Sequence, residues 1–274
     1  MNYFVTYGDE NFTESVNIIK RQAKSLGLFS KIISYSPKDL PLYIKASPLF
    51  SFKKGGGYWV WKPYIIINIL SKCQEGDVVY YVDSGCSLKP NFEEWSRYAQ
   101  LIEKYNAIFF QYRDDFKYHT WDKYCKDKTC NSPKIKYWIK KTTSNYFTNY
   151  LGNDAFLNYN KIMGGFFIIK KTNKQLHTID NWYKITLLHP ELIIDPYGEE
   201  LSEQEVYFNA HRHDQTILTP LIFNYKEEDK IMVLPESAES NQSEAAVIAS
   251  RNKVGKLPFL LKLKYRIYYS IGIK

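Results

Sequence analysis

The sequence predicts an α/β fold in which a mainly parallel central sheet is covered by helices on both faces. Strand-length apolar runs alternate with segments of helical periodicity along most of the chain. The most apolar run, DVVYYVD at residues 77–83, lacks polar alternation, which is typical of a central parallel strand. With 274 residues and 45% hydrophobic content, the chain can bury the core of one large domain.

The first part of the chain predicts a βαβ unit. Residues 3–8 form a short apolar strand candidate that ends at a glycine. Apolar residues then recur at helical spacing between residues 9 and 28, and Gly27 suits the C-terminus of that helix. The stretch KIISY at residues 31–35 predicts the second strand.

Three consecutive glycines at residues 55–57 predict a loop that turns sharply or approaches a ligand closely. Trp59 and Trp61 alternate with other residues just after it, which predicts a short strand with both indoles on one face. There the indoles either pack in the core or stack on a nucleobase or sugar ring. A helix follows with Pro63 in its first turn, and Gly76 marks the turn before the apolar strand.

The second half of the chain continues the alternation around one irregular segment. Residues 113–150 are charged and aromatic. They predict an insertion, or a lid over the side of the site where an acceptor substrate would enter. A short helix begins near residue 213, and Pro220 predicts a break in it. The remaining predicted elements are strands at residues 107–112, 161–171 and 231–235 and a helix at residues 175–189.

The domain organisation follows from composition and charge. We expect a main domain over residues 1–235, a loose polar linker over residues 236–250 and a basic, aromatic tail over residues 251–274. The tail holds seven of the 37 Lys and Arg residues and no acid, so most of the net charge of +8 lies there. The nearly neutral body argues against a broad nucleic-acid-binding face.

The tail predicts attachment to an anionic membrane surface. Its apolar residues share one helical face with basic residues beside it, a pattern typical of helices that lie in the membrane interface. A C-terminal helix or strand packed on the core is the alternative. The N-terminus shows no secretory signal and no apolar run is long enough to span a bilayer. We therefore expect a cytoplasmic protein held peripherally at the inner face of the cytoplasmic membrane.

The four cysteines predict reduced thiols. Cys73, Cys86, Cys125 and Cys130 have no spacing that indicates a disulfide framework, and a cytoplasmic protein keeps its thiols reduced. The last two could be paired zinc ligands, but two further ligands at zinc spacing are missing. We therefore predict no zinc site from them.

The apolar strand ends on a single carboxylate, Asp83, followed by Ser84 and Gly85. Open α/β sheets bind ligands at the carboxyl ends of their strands, and a carboxylate buried there needs a compensating partner. A cation, a ribose hydroxyl or backbone donors would supply it, and the two small residues leave room for a bulky ligand. The alternative is a structural aspartate that caps a helix or a turn.

Residues 61–86, WKPYIIINILSKCQEGDVVYYVDSGC, resemble the nucleotide-sugar-binding half of GT-A-fold glycosyltransferases. The resemblance implies a GT-A-like, Rossmann-type sheet in which Trp61 and Lys62 lie at the donor site. Asp83 matches the first aspartate of an Asp-x-Asp motif that holds a metal ion and the donor diphosphate. Gly85 stands in place of the second aspartate, so a divalent cation, Mn²⁺ or Mg²⁺, would have one carboxylate ligand here.

Two later segments extend the resemblance. Gly164 and Gly165 in MGGFF resemble a glycine-rich segment that packs beside the donor sugar. Asp214 and Gln215 in HRHDQTILT resemble an Asp-Gln segment that lies near the transferred sugar in retaining hexosyltransferases. The resemblance implies that these two residues carry the reaction, since they can bind sugar hydroxyls. A helix N-cap is the alternative role of the aspartate.

Two further assignments concern the nucleobase end of the donor site and a candidate metal ligand. Tyr7 and Gly8 end the first strand, where such folds place the nucleobase and ribose. His213, two residues after His211, is a candidate metal ligand, although paired histidines at this spacing are more often hydrogen-bonding neighbours.

The order of these motifs resembles that of bacterial polysaccharide or lipopolysaccharide O-antigen glycosyltransferases. The resemblance implies transfer of a hexose, with galactose favoured, from a UDP-sugar to a glycan or lipid-linked glycan acceptor, with retention. A sugar-phosphate nucleotidyltransferase is disfavoured because TYGDENFTES has one glycine and no base after the first strand. A non-catalytic protein that binds glycans or docks on membranes is the third alternative. No nucleic-acid partner is expected.

Overall fold

A computed structural model describes residues 1–115 and 132–251. The six long helices are α1 (Thr13–Leu26), α2 (Trp61–Lys72), α3 (Phe92–Lys104), α4 (Lys141–Leu151), α5 (His177–Leu188) and α6 (Asp214–Tyr225). The strands are β1 (Asn2–Tyr7), β2 (Lys31–Tyr35), β3 (Val78–Val82), β4 (Ser87–Leu88), β5 (Ala107–Gln111), β6 (Phe166–Lys170), β7 (Ile231–Pro235) and β8 (Val247–Ile248).

The central sheet has six strands in the order β2-β1-β3-β6-β5-β7. Strand β6 is antiparallel to both of its neighbours, and the remaining pairs are parallel. The predicted α/β fold with a mainly parallel central sheet and flanking helices is therefore confirmed. Five strands point the same way, so their carboxyl ends meet at one edge, where ligands bind in open sheets.

Local sequence explains the first half of the sheet. In α1, Ile19, Ala23 and Leu26 recur at helical spacing and are buried, and Gly27 ends the helix in a left-handed conformation at φ 67°. All five residues of β3 are buried, as expected of a strand between two others with helices on both faces.

The three glycines form a tight left-handed turn. Residues 55–59 all have positive φ, from 52° to 96°, and the last two are Tyr58 and Trp59. The predicted strand here is wrong, because the glycines favour a left-handed backbone that brings the chain straight into α2. Trp61 begins that helix and stacks on Tyr7, with ring centroids 3.7 Å apart, so the two indoles do not share a strand face.

Substitution of one turn glycine should show how tightly this turn is packed. A Cβ on Gly57, which has φ 96°, would lie 2.9 Å from the Phe50 Cα. Gly76 has a similar φ of 83° but has no atom within 4 Å of its Cβ position. We expect Gly76→Ala to cost about 1 kcal/mol through backbone strain, and Gly57→Ala to cost about 3 kcal/mol because a clash with backbone is added. Urea unfolding measures both, and equal losses would contradict this packing.

Two other expectations are corrected. Helix α6 continues through Pro220 to residue 225, because its buried face keeps it helical despite the missing N–H. Residues 236–250 are packed and not a loose linker. Ala245 and Ala246 are fully buried, and β8 pairs with β4 in a two-stranded sheet.

Several predictions fall on residues outside the described ranges. The central part of the 113–150 segment, with Cys125 and Cys130, lies in residues 116–131, and nearly all of the basic tail lies in residues 252–274. Residues 141–151 of the predicted insertion form α4. None of the helices within residues 1–115 and 132–251 combines the length and apolar character needed to cross a bilayer.

Candidate active site

The site is centred on Lys62, the second residue of α2. Its side chain is 1% exposed, and its ammonium group donates to the Gly164 carbonyl oxygen at 2.9 Å and to Asp214 Oδ2 at 2.7 Å. The Asp83 Oδ1 atom lies 3.4 Å from the same nitrogen. The structure thus brings together residues from α2, β3, the segment before β6, and α6.

Electrostatics keep this lysine charged. Burial opposes the charged form, but the carboxylates of Asp214 and Asp83 outweigh burial and raise the pKa of Lys62. All three donors of the ammonium face protein acceptors. Lys62 is therefore engaged by protein acceptors on all sides, and the two carboxylates that it holds line the groove. The cluster of Lys62, Asp83 and Asp214 contains one basic and two acidic side chains, so it is net negative.

Asp83 has the compensating partners that a strand-end carboxylate needs. Its Oδ1 atom accepts a short hydrogen bond from the Tyr81 hydroxyl and faces Lys62, and its backbone N–H donates to the Gly165 carbonyl at 2.8 Å. Burial and the neighbouring Asp83 hold the pKa of Tyr81 well above its usual range, so the phenol remains a donor. The Asp83 side chain is 34% exposed, and it borders the groove beside Gly85.

The glycine pair makes room for the two carboxylates. A Cβ on Gly164 would lie 2.7 Å from Asp214 Oδ2, and a Cβ on Gly165 would lie 3.2 Å from Asp83 Oδ2. These glycines therefore let both carboxylates approach the backbone beside Lys62. The sequence resemblance predicts that the two glycines pack beside a donor sugar. Both glycines line the same cavity as Gln215.

Gln215 lines that cavity and has an unsatisfied acceptor on its side chain. Its side-chain Oε1 atom is buried, and within residues 1–115 and 132–251 it has no hydrogen-bond partner. A buried acceptor without a partner costs about 1–3 kcal/mol, which makes this oxygen a candidate for a ligand hydrogen bond. A sugar hydroxyl is a suitable donor.

His213 precedes Asp214 in a strained conformation, with φ 51° and ψ −115°. Its Nε2 atom lies 3.1 Å from Asp195 Oδ1, and its ring packs on Tyr58 and Trp59. Sequence reasoning missed Asp195, which has no motif around it and lies 18 residues away along the chain. His211, two residues before His213, is buried, and burial lowers its pKa well below the usual range.

A groove runs along the carboxyl edge of the sheet as three adjoining cavities of about 910, 340 and 460 Å³. Tyr7 and Gly8 line the first two, and Asp83 and Gly85 line the second and third. Ser84 and Trp61 line the middle cavity. The structure therefore places the predicted donor residues along one continuous groove that ends at Gln215.

Tyr7 is the second unsatisfied group in the groove. Its hydroxyl is buried and lacks a hydrogen-bond partner within the described part of the chain, while its ring stacks on Trp61. Burial and, less strongly, Asp9 raise the pKa of Tyr7, so the phenol stays neutral.

Two lysines that the sequence analysis did not select line the groove beside the glycine turn. Lys53 borders the first and middle cavities, and Lys54 borders the middle and third. Among the described residues that line the middle cavity, these two are the cationic ones. The position of both lysines just before three glycines is the sequence feature that could have identified them.

The predicted metal ligands do not form a metal centre. Asp83 uses one carboxylate oxygen for Lys62 and Tyr81, and His213 is engaged by Asp195 through Nε2. In the two described ranges, no three His, Cys, Asp or Glu side chains are grouped as metal ligands. These donors do not fit a divalent cation held by the protein, so the chemistry is derived from the charges of the side chains.

No family model matches the sequence, and no characterised protein matches it at the sequence level. Among solved structures, the chain is similar to a glycosyltransferase involved in glycosylation of the major capsid of PBCV-1. That match has 9% identity and a TM-score of 0.47, and covers 90% of this chain and 91% of the other.

Two further similar structures are also glycosyltransferases. The galactosyltransferase LgtC, in complex with donor and acceptor sugar analogues, has 10% identity and a TM-score of 0.36, and covers 85% and 73% of the two chains. Mouse xyloside xylosyltransferase 1 has 10% identity and a TM-score of 0.38, with 85% of each chain covered. All three of these TM-scores lie below 0.5.

Proposed function

We propose that this chain is a glycosyltransferase that moves a hexose from a UDP-sugar to a glycan acceptor with retention. The observation that carries the proposal is the buried Lys62 held between Asp83 and Asp214, beside the unpaired oxygen of Gln215. This arrangement places two carboxylates and an amide side chain in a groove cavity that Lys161, Arg212 and Arg251 also line. Both features suit a reacting sugar.

The proposed donor orientation runs from Tyr7 towards Asp214. The nucleobase and ribose would occupy the cavity beside Tyr7 and Gly8, where the unpaired phenol offers a hydrogen bond. The diphosphate would lie in the middle cavity near Ser84 and Gly85, and the hexose would lie beside Asp214. The resemblance favours uridine as the base and galactose as the sugar.

Lys53 and Lys54 would supply positive charge to the diphosphate. Lys53 is exposed, and Lys54 is half-exposed in an ion pair with Asp195 at 2.6 Å, so both ammonium groups can meet a ligand. A leaving diphosphate accumulates negative charge, which nearby cations stabilise.

The transfer step that we propose is the front-face displacement that retention implies. The bond between the anomeric carbon and the diphosphate oxygen breaks, and a bond from the acceptor hydroxyl forms on the same face. The proton of that hydroxyl passes to a departing phosphate oxygen, which leaves UDP and the glycoside. Asp214 stabilises the oxocarbenium-like transition state, and Gln215 holds a sugar hydroxyl.

The biological setting is proposed from the sequence. The motif order favours a bacterial surface glycan as the product and a lipid-linked acceptor. The tail, residues 251–274, would hold the enzyme at the inner face of the membrane.

Titration calorimetry with UDP and uridine tests the donor site. We expect Lys53→Gln and Lys54→Gln each to weaken UDP binding about 10-fold and to leave uridine binding unchanged, because each removes one charge–phosphate contact. Lys104→Gln is the matched control, since Lys104 is exposed and lies before β5, at the opposite edge of the sheet. A double variant that binds UDP like this control would contradict the role of the lysines. Absence of UDP binding by the unmodified chain would contradict the proposed function.

A further inference from the structure

Asp195 joins the glycine turn to the start of α6. Its carboxylate accepts from Lys54 Nζ at 2.6 Å and from the Tyr58 hydroxyl at 3.0 Å, and it lies 3.1 Å from His213 Nε2. Tyr58 lies in the glycine turn and Lys54 immediately precedes it, and both the turn and Lys54 line the donor groove. The third partner immediately precedes Asp214, so one carboxylate links the two sides of the site.

The backbone of His213 needs such an anchor. A non-glycine residue at φ 51° and ψ −115° is in a costly conformation that persists only where its surroundings hold it. The ring is 7% exposed, lies between Tyr58 and Trp59, and is fixed at its tip by Asp195. The His213 carbonyl accepts two hydrogen bonds from Thr216.

The held conformation determines where Asp214 points. As the first residue of α6, Asp214 leaves the strained turn with its Oδ2 atom 2.7 Å from Lys62. If His213 relaxed to negative φ, the first turn of α6 would rotate and this carboxylate would move.

We propose that Asp195 is a positioning residue for Asp214, acting through His213, and that it competes with the donor diphosphate for Lys54. The second part rests on the proposed function. Removal of the Asp195 carboxylate releases Lys54 for the diphosphate while it releases the strained turn. Donor affinity and turnover should therefore change in opposite directions, which a general loss of structure would not produce.

The test compares Asp195→Ala with Asp195→Asn, which keeps one acceptor oxygen. For Asp195→Ala we expect turnover of UDP-galactose to fall about 100-fold, because misplacement by about 1 Å costs that much. UDP should bind more tightly, because Lys54 is released for the diphosphate, and unchanged UDP affinity would refute the competition for Lys54. Asp195→Asn should recover about 10-fold of the lost turnover, because its Oδ1 can still accept from His213. If the alanine variant does not fold, the asparagine variant is compared with the unmodified chain by the same measurements.

Glu200→Gln is the matched control, since Glu200 pairs with the buried Lys140 at 3.1 Å and does not line the groove. It should leave both quantities unchanged. Turnover of Asp195→Ala at the unmodified level, or equal losses of turnover and UDP affinity, would overturn the proposal. A crystal structure of the variant separates this proposal from the proposed function. His213 still at positive φ with Asp214 on Lys62 would refute positioning, even if the unmodified chain releases no UDP.

Discussion

Replacement of Lys62 by methionine is expected to lower the free energy of unfolding by about 3–5 kcal/mol at pH 7, because it leaves two carboxylates without their buried counter-charge. Turnover should be abolished, since Asp214 loses the partner that holds it. The Lys62 side chain is 1% exposed, so water cannot replace the ammonium without rearrangement. Urea unfolding followed by circular dichroism measures the stability, and UDP release measures the turnover.

The pH dependence of this loss has a defined sign. The pKa of Lys62 is raised above 10.5 in the folded protein, so its contribution to stability is complete below pH 10.5. That contribution decreases as pH rises through the folded pKa. The difference between the unmodified chain and Lys62→Met should therefore be constant from pH 7 to 9 and shrink only in stronger alkali.

Lys140→Met is the matched control for Lys62→Met. Lys140 is also buried and pairs with a carboxylate, Glu200, but outside the groove. It should lose stability and keep turnover. Equal stability of Lys62→Met and the unmodified chain would contradict the ion-pair account.

Asp214→Asn is expected to reduce turnover of UDP-galactose about 1000-fold, the size of effect seen when one preorganised electrostatic group is removed from a transition state. The amide keeps the shape of the side chain, and Lys62 keeps Asp83 as a partner. UDP affinity should stay unchanged because Asp214 lies at the sugar end of the groove. Steady-state kinetics and calorimetry measure the two quantities.

Asp229→Asn provides the control for Asp214→Asn. Asp229 is a buried carboxylate that accepts the backbone N–H groups of His177 and Thr178 at the start of α5, and it lines none of the three groove cavities. It should be less stable and fully active. Unchanged turnover in Asp214→Asn would remove that residue from the reaction.

Much of the fold could be predicted from the sequence because the signals are local. Strand β3 is a continuous apolar run, and α1 has a periodic buried face that ends at Gly27. The pairing of Lys62 with Asp83 and Asp214 was only partly predictable. The resemblance selected all three residues, but it did not show that the ammonium is buried between the carboxylates.

The remaining features depend on contacts between distant segments. Asp195 meets Lys54 across 141 residues and has no surrounding motif, so no pattern identifies it. The glycines of the left-handed turn at residues 55–59 were correctly predicted as a loop. Trp59 was assigned to a strand because Trp59 and Trp61 alternate in the sequence, and this alternation carries no information on the positive φ of Trp59. Pro220 stays within α6 because burial of the helix outweighs its local preference.

Real-time proton NMR of UDP-α-galactose with the full chain tests the central claim most directly, with water serving as acceptor in the absence of a glycan. The account predicts that the donor anomeric signal decays as UDP forms. Galactose should appear first as the α-anomer, with its small anomeric coupling, and then equilibrate. An intact donor at concentrations where calorimetry shows that UDP binds, or release of β-galactose first, would contradict a retaining transferase.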